Sequence, residues 1–385
     1  MGFNRYWDFN SLVLGIKVAF WERNFFHSYQ NLNQALPKVF KTPPSSPLAH
    51  FGVNIPMLKF PFFLAISLLC FSASTYAQDR RALNFESRNC VHIVKFNDKC
   101  DPQTVKGTLY KPKNPTDAVV IIVHGSQGVD ERHENYAKHL NSIGIAAFLF
   151  DSWSPRGIGK AQYDYAANEK KGARAFNQAL DVLRAAELLK KLPESYKRIG
   201  NVGESIGGAA AIWLIKPYLY SEYFRLFSEQ APTIQANVAI YAGCFERSST
   251  DRFLPIRTFF LNAELDNDTP AVYCEKFSAW MNSRGGRAEF QTLKGQHHDF
   301  DAPYKLHKAL KAENPSDCTS FIDGPERVWE KTGERFPMTA DGYRDFQKKC
   351  VRSARDAPVT TGYIESPFTG FREWGEFFLR TLGSP

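Results

Sequence analysis

From about residue 90 onward, short apolar runs alternate with segments of helical spacing. Val91–Phe96 and Lys106–Tyr110 read as opening strands. Ala118–Val123 and Ile145–Phe150 are continuously apolar, as strands buried on both faces must be. Between residues 166 and 191 the pattern becomes helical: Phe176, Leu180, Leu183 and Leu189 recur on one side, with Ala173, Ala179 and Ala186 beside them. Arg198–Gly203 is the next strand, followed at once by a helix over Ala209–Ile215. Ala236–Tyr241, Ile256–Leu261 and Ala288–Leu293 are three further strands. Thr269-Pro270 predicts a helix running to about Met281, with Thr269 as its cap and Pro270 in its first turn. The last helix is Gly370–Arg380. This alternation predicts an α/β fold: a mostly parallel central sheet with helices on both faces.

Residues 313–366 break the rhythm. They are polar, are punctuated by Pro315, Pro325, Pro337, Pro358 and the adjoining Pro367, and contain Cys318 and Cys350. An insertion held down by a disulfide is expected there, placed to help roof a pocket.

Upstream, Met57–Gln78 has the parts of a secretory signal. Lys59 provides a positive start, Phe60–Phe71 is an apolar run of 12 residues, and Thr75-Tyr76-Ala77 follows, with the small Thr75 and Ala77 near the expected cut. Twelve residues are too few to span a bilayer comfortably as a helix. A signal peptide over 57–77 is therefore expected, with translation from Met57, a mature domain over 78–385 and no membrane span after cleavage. Residues 1–56, with the linker-like Lys41–Leu48, are then a gene-model extension or a disordered arm.

Composition narrows the class. The 385 residues are 43% hydrophobic and 23% charged, ordinary for a soluble globular protein and unlike disordered, fibrous or multi-span membrane chains. Half of the formal +8 charge lies in residues 1–77, where six Lys/Arg face two Asp/Glu, and no basic run of five occurs anywhere. Nucleic acid is not an expected partner. Of seven cysteines Cys70 falls in the signal, leaving Cys90, Cys100, Cys244, Cys274, Cys318 and Cys350. Their spacing lacks the paired C-x-x-C of a zinc site, and disulfides in an oxidising compartment, periplasmic or extracellular, are expected. Six cysteines allow fifteen connectivities.

The sharpest chemical signal is Gly203-Glu204-Ser205-Ile206-Gly207, a G-x-S-x-G sequence lying between a predicted strand and a predicted helix. A serine hydroxyl needs a base, and the base needs an orienting acid. On such a sheet these follow the serine in the order acid, then His, at the ends of later strands. The loop after Leu261 supplies Asp266, with Glu264 and Asp268 as alternatives; the loop after Leu293 supplies His298, with His297 as the alternative. Amides able to receive an oxyanion are expected at Ile206 and in His124-Gly125-Ser126-Gln127-Gly128, at Ser126 or Gln127. His124 itself is expected to be a structural hydrogen-bonding residue.

Together, His124–Gly128, Asp151–Gly157, Gly203–Gly208, Glu264–Pro270 and His298–Asp301 resemble the dienelactone hydrolase family over residues 90–312. The resemblance implies an α/β-hydrolase fold with Ser205 as nucleophile, Asp266 as acid and His298 as base. It implies an ester or lactone as small-molecule substrate and no metal or organic cofactor. Gln127 and Glu204 are candidate substrate contacts, as is Arg156, for which a structural role is the favoured alternative. The founding members use cysteine as nucleophile, whereas position 205 is serine. Expected disulfides are Cys244–Cys274, whose residues follow successive strands, together with Cys90–Cys100 and Cys318–Cys350. A peptidase or acyltransferase on the same fold, and a non-catalytic binding module, are the competing functions.

Overall fold

A single sheet of eight strands organises the computed structural model, which describes residues 79–91, 100–160 and 165–383. The expected signal at 57–77, the segment 1–56 and the expected strand Val91–Phe96 beyond its first residue lie outside the described residues. In chain order the strands are β1 (Asp79–Asn89), β2 (Asp101–Lys111), β3 (Ala118–Val123), β4 (Ala146–Asp151), β5 (Arg198–Glu204), β6 (Ala236–Ile240), β7 (Glu246–Ser248), β8 (Arg257–Ala263) and β9 (Arg287–Leu293). All except β7 join the sheet, in the order β1-β2-β4-β3-β5-β6-β8-β9. β1 and β2 pair antiparallel, as do β2 and β4; every pairing from β4 across to β9 is parallel.

The helices are α1 (Glu131–Ser142), α2 (Tyr165–Lys170), α3 (Ala175–Lys191), α4 (Ile206–Leu214), α5 (Pro217–Phe227), α6 (Ala271–Asn282), α7 (Ala340–Cys350) and α8 (Phe371–Leu382). β3 reads Ala-Val-Val-Ile-Ile-Val and is buried throughout. Its Val120 and Ile122 join Tyr136 and Leu140 of α1 and Trp374, Phe377 and Phe378 of α8 in one core cluster. Val119 and Ile121 alternate to the opposite face, where α3 and α4 pack. α8 fits its place because Phe371, Trp374, Phe378 and Leu382 recur at helical spacing and are buried, each worth roughly 2 kcal/mol of apolar burial.

Several expectations are corrected. β1 was absent from the sequence pattern because, as an edge strand, it buries only Phe85 and Ser87. α1 was missed because its buried side includes Arg132 and His133, which erase the apolar period. The helix expected over 166–191 is two, α2 and α3, separated by a turn whose Gly172 carbonyl accepts from the Asn177 amide. Thr269 does not cap α6: Pro270 occupies the cap position, and the Thr269 hydroxyl is engaged with Tyr241 and Asp266 instead.

Residues 313–366 carry strands of their own. After β10 (His307–Ala309) come β11 (Ser320–Asp323), β12 (Glu326–Trp329), β13 (Arg335–Pro337) and, past α7, β14 (Val359–Thr361). β11 pairs parallel with β7, and β14 pairs with β10, so the segment is stitched to the main body at two places. Cys318, Trp329, Phe336, Phe346 and Cys350 form its small core. Disulfides join Cys90 to Cys100, Cys244 to Cys274 and Cys318 to Cys350. Among the described residues no helix is long and apolar enough to cross a membrane.

Candidate active site

Ser205 sits between β5 and α4 with φ 55° and ψ −116°, a backbone conformation that L-residues avoid. Only small neighbours allow so sharp a turn. A Cβ at position 203 would meet the Gly207 carbonyl oxygen at 2.2 Å, and one at position 207 would meet the Val123 carbonyl oxygen at 2.5 Å. The Ser205 hydroxyl forms no capping bond to α4. It lies instead 3.3 Å from His298 Nε2.

Asp266 and His298 come from the carboxyl ends of β8 and β9. His298 Nδ1 is 2.8 Å from Asp266 Oδ2. The carboxylate is fixed by its own loop: Oδ1 accepts from the amides of Asp268 and Thr269, each at 2.8 Å, and Oδ2 accepts from the Thr269 hydroxyl at 2.9 Å. Burial alone would raise the Asp266 pKa; His298 and these donors outweigh it and hold the carboxyl below its ordinary value. With Nδ1–H donating to Asp266, Nε2 is the nitrogen that faces the Ser205 hydroxyl.

A second carboxylate shares that nitrogen. Asp268 Oδ2 lies 3.4 Å from His298 Nε2, and Asp268 Oδ1 is buried without a hydrogen-bond partner. Burial is the chief cause that lifts the Asp268 pKa to about 7, assisted by Asp266 and Asp299 and opposed by His298. For His298 burial works downward, but Asp266 and Asp268 more than offset it and hold the imidazole up at about 10.

Beneath the imidazole runs a buried polar network that the sequence pattern did not reveal. Arg132 donates to Tyr241 Oη and to Asp299 Oδ1, both at 2.7 Å, and approaches Glu204 at 3.6 Å. Asp299 Oδ2 also accepts from Tyr304 and Thr361. The Tyr241 ring packs edge-on against His298, with centroids 4.8 Å apart. The one available signal was the acidic alternation His298-Asp299-Phe300-Asp301; nothing in sequence links it to Arg132, 167 positions away from Asp299.

The remaining candidate residues divide. Glu204 lies under the loop after β3, where its carboxylate accepts from the Gly125 amide. Gln127 donates to Tyr304 Oη at 2.5 Å. His124 is buried, with Nδ1 donating to the Gly125 carbonyl and Nε2 accepting from the Ser152 amide; burial lowers its pKa, in keeping with a neutral ring. Glu264 accepts from the Gly295 amide, away from Ser205. His297 makes none of these contacts.

Arg156 has the structural role expected as the alternative to a substrate contact, its Nε donating to Asn89 Oδ1 at 3.3 Å. Its guanidinium is buried against both Asp181 oxygens, at 2.8 and 3.0 Å, and also donates to the Ser152 and Arg88 carbonyls. No donor is left over for a ligand.

Two spaces meet at Ser205. A chamber of about 340 Å³ extends over Ile206 and Trp213 toward Phe176, Phe245, Tyr343 and Phe346. A recess of about 40 Å³ is lined by Ser126, Gln127, Glu204, His298 and Asp299. Residues of the 313–366 segment, including Pro315, Tyr343 and Phe346, supply part of the chamber wall. Among the described residues no group of three or more His, Cys, Asp or Glu is arranged to hold a metal ion.

No curated protein matches the chain. Similar solved structures include Est1E from Butyrivibrio proteoclasticus, at 15% identity over 56% of this chain and 90% of that one, with a TM-score of 0.36. The Est2 esterase of the Planctomycetes species Thermogutta terrifontis, in its propionate-bound form, is 14% identical over 55% of this chain and 84% of that one, with a TM-score of 0.39. The Pyrococcus furiosus esterase Pf2001 is 16% identical over 57% and 85%, with a TM-score of 0.38. The sequence model of the Dienelactone hydrolase family matches residues 105–323, more than half of the chain, and the protein belongs to that family.

Proposed function

We propose that the protein is an exported serine hydrolase that cleaves a carboxylic ester or lactone through an acyl-enzyme. One observation carries this: a single imidazole lies 2.8 Å from a buried carboxylate through Nδ1 and 3.3 Å from a strained serine through Nε2. His298 takes the Ser205 proton as Oγ bonds to the carbonyl carbon. The Ile206 and Ser126 amides receive the oxyanion, and Asp266 steadies the imidazolium. As the carbon–oxygen bond to the alcohol breaks, His298 returns its proton to the leaving oxygen. Water, deprotonated by the same ring, then releases the acid. Export is supported by the three disulfides, which persist in oxidising compartments.

The test is Ser205→Ala assayed on p-nitrophenyl acetate, alongside labelling by a fluorophosphonate. Loss of turnover by about a thousandfold or more, and loss of labelling, are expected. Undiminished hydrolysis would overturn the assignment of Ser205. An unlabelled wild-type protein would favour the binding module. Natively exported protein should begin near Gln78; a mature chain that retains Trp21 would refute the signal at 57–77.

A further inference from the structure

The two spaces at Ser205 differ in size and in chemistry, and the position of His298 assigns a role to each. In ester cleavage the base must hand its proton to the departing alcohol oxygen, so the alcohol lies on the imidazole side. His298 lines the recess and is absent from the chamber wall. A recess of about 40 Å³ is sized for a few water-sized groups, such as a methoxy or ethoxy, far less than the chamber offers a ring.

The chamber has the opposite character. Phe176, Trp213, Phe245, Tyr343 and Phe346 give it aromatic walls. Arg327 braces two of them, its guanidinium 5.1 Å from the ring centres of both Tyr343 and Phe346. The chamber's charges are mutually satisfied, Glu169 with Arg174 at 2.9 Å and Glu246 with Arg327 at 2.7 Å. Asp268 is paired on one side only, its Oδ2 lying 3.4 Å from His298 Nε2. It lines both spaces where they meet at Ser205, and its Oδ1 has no donor.

We propose that the enzyme takes its ester in one orientation, with an uncharged, ring-bearing acyl group in the chamber and a short alcohol in the recess, and that Asp268 is a specificity-determining residue that rejects acyl groups bearing a carboxylate beside the scissile carbonyl. The proposal rests on Ser205 and His298 acting as nucleophile and base. Like charges held at close range in a partly buried site repel strongly enough to decide between substrates.

Methyl phenylacetate and benzyl acetate are isomers built from the same groups in opposite order, both with alkoxide leaving groups. The wild-type enzyme is expected to hydrolyse methyl phenylacetate with a kcat/KM higher by about tenfold or more, the scale on which a shaped pocket discriminates. Equal rates, or preference for benzyl acetate, would overturn the orientation. Monomethyl phenylmalonate adds a carboxylate at the α-carbon and reports on Asp268. Asp268→Asn is expected to raise the ratio of its kcat/KM to that of methyl phenylacetate by about tenfold, mainly through KM. An unchanged ratio in a variant that melts like the wild type would overturn the role of Asp268. Ser205→Ala run on the same esters separates the layers: activity surviving there defeats the nucleophile assignment, whereas activity lost there but indifferent to orientation defeats only this proposal.

Discussion

Asp268 Oδ2 and Ser205 Oγ stand at nearly equal distances, 3.4 and 3.3 Å, from the same nitrogen of His298. The imidazole is therefore flanked by carboxylates at both nitrogens, Asp266 at Nδ1 and Asp268 at Nε2. Each stabilises the protonated ring, which is why its pKa stands at about 10 despite burial.

The pH profile should report this directly. A general base works only when neutral, so kcat/KM on an uncharged ester is expected to climb from pH 7 toward pH 10. Asp268→Asn removes one of the charges that favour the imidazolium, so the imidazole pKa falls and the acid limb moves to lower pH, by about one unit. A limb that stays in place in the variant would show that Asp268 does not act on the ring.

Arg156 should prove a stability residue. Replacing it with Met leaves Asp181 buried beside two hydroxyls, Ser87 and Ser152, but without its cation. The expected loss is about 3–5 kcal/mol of unfolding free energy, read by denaturant titration. KM for neutral and anionic esters should stay as in the wild type below the transition. A large rise in KM for anionic esters alone, without loss of stability, would restore Arg156 as a substrate contact.

The Cys318–Cys350 disulfide closes a loop of 32 residues in sequence separation. Its removal in a Cys318→Ser, Cys350→Ser variant should cost up to about 3–4 kcal/mol on the chain-entropy account. Because Tyr343 and Phe346 lie within that loop and wall the chamber, ring-bearing acyl esters should lose more kcat/KM than methyl acetate does. Equal losses on both substrates would mean that the segment braces the fold without shaping the chamber.

Elements with one dominant local cause were legible before folding was considered. β3 is apolar throughout, and β4 up to its terminal Asp151, because parallel strands are covered on both faces, and α8 repeats its aromatics because one side of it is buried. The elements that were missed owe their place to partners distant in the chain. β1 needs β2 to complete its hydrogen bonds, and α1 can bury Arg132 only because Asp299 and Tyr241 arrive from β9 and β6.

The amino-acid order by itself determined that a serine stands on a glycine-flanked turn, that an acid and a histidine follow it on later loops, and that the chain alternates as a layered α/β protein, since each depends on neighbours a few residues apart. Which acid faces Nδ1, which faces Nε2, and that Arg156 turns inward were decided only by tertiary structure. Asp266 and Asp268 are chemically alike and two residues apart, and only the turn that gives one of them the Thr269 amide and hydroxyl separates their directions. Charge–charge energy depends on distance in space, and that distance exists only once the strands are side by side.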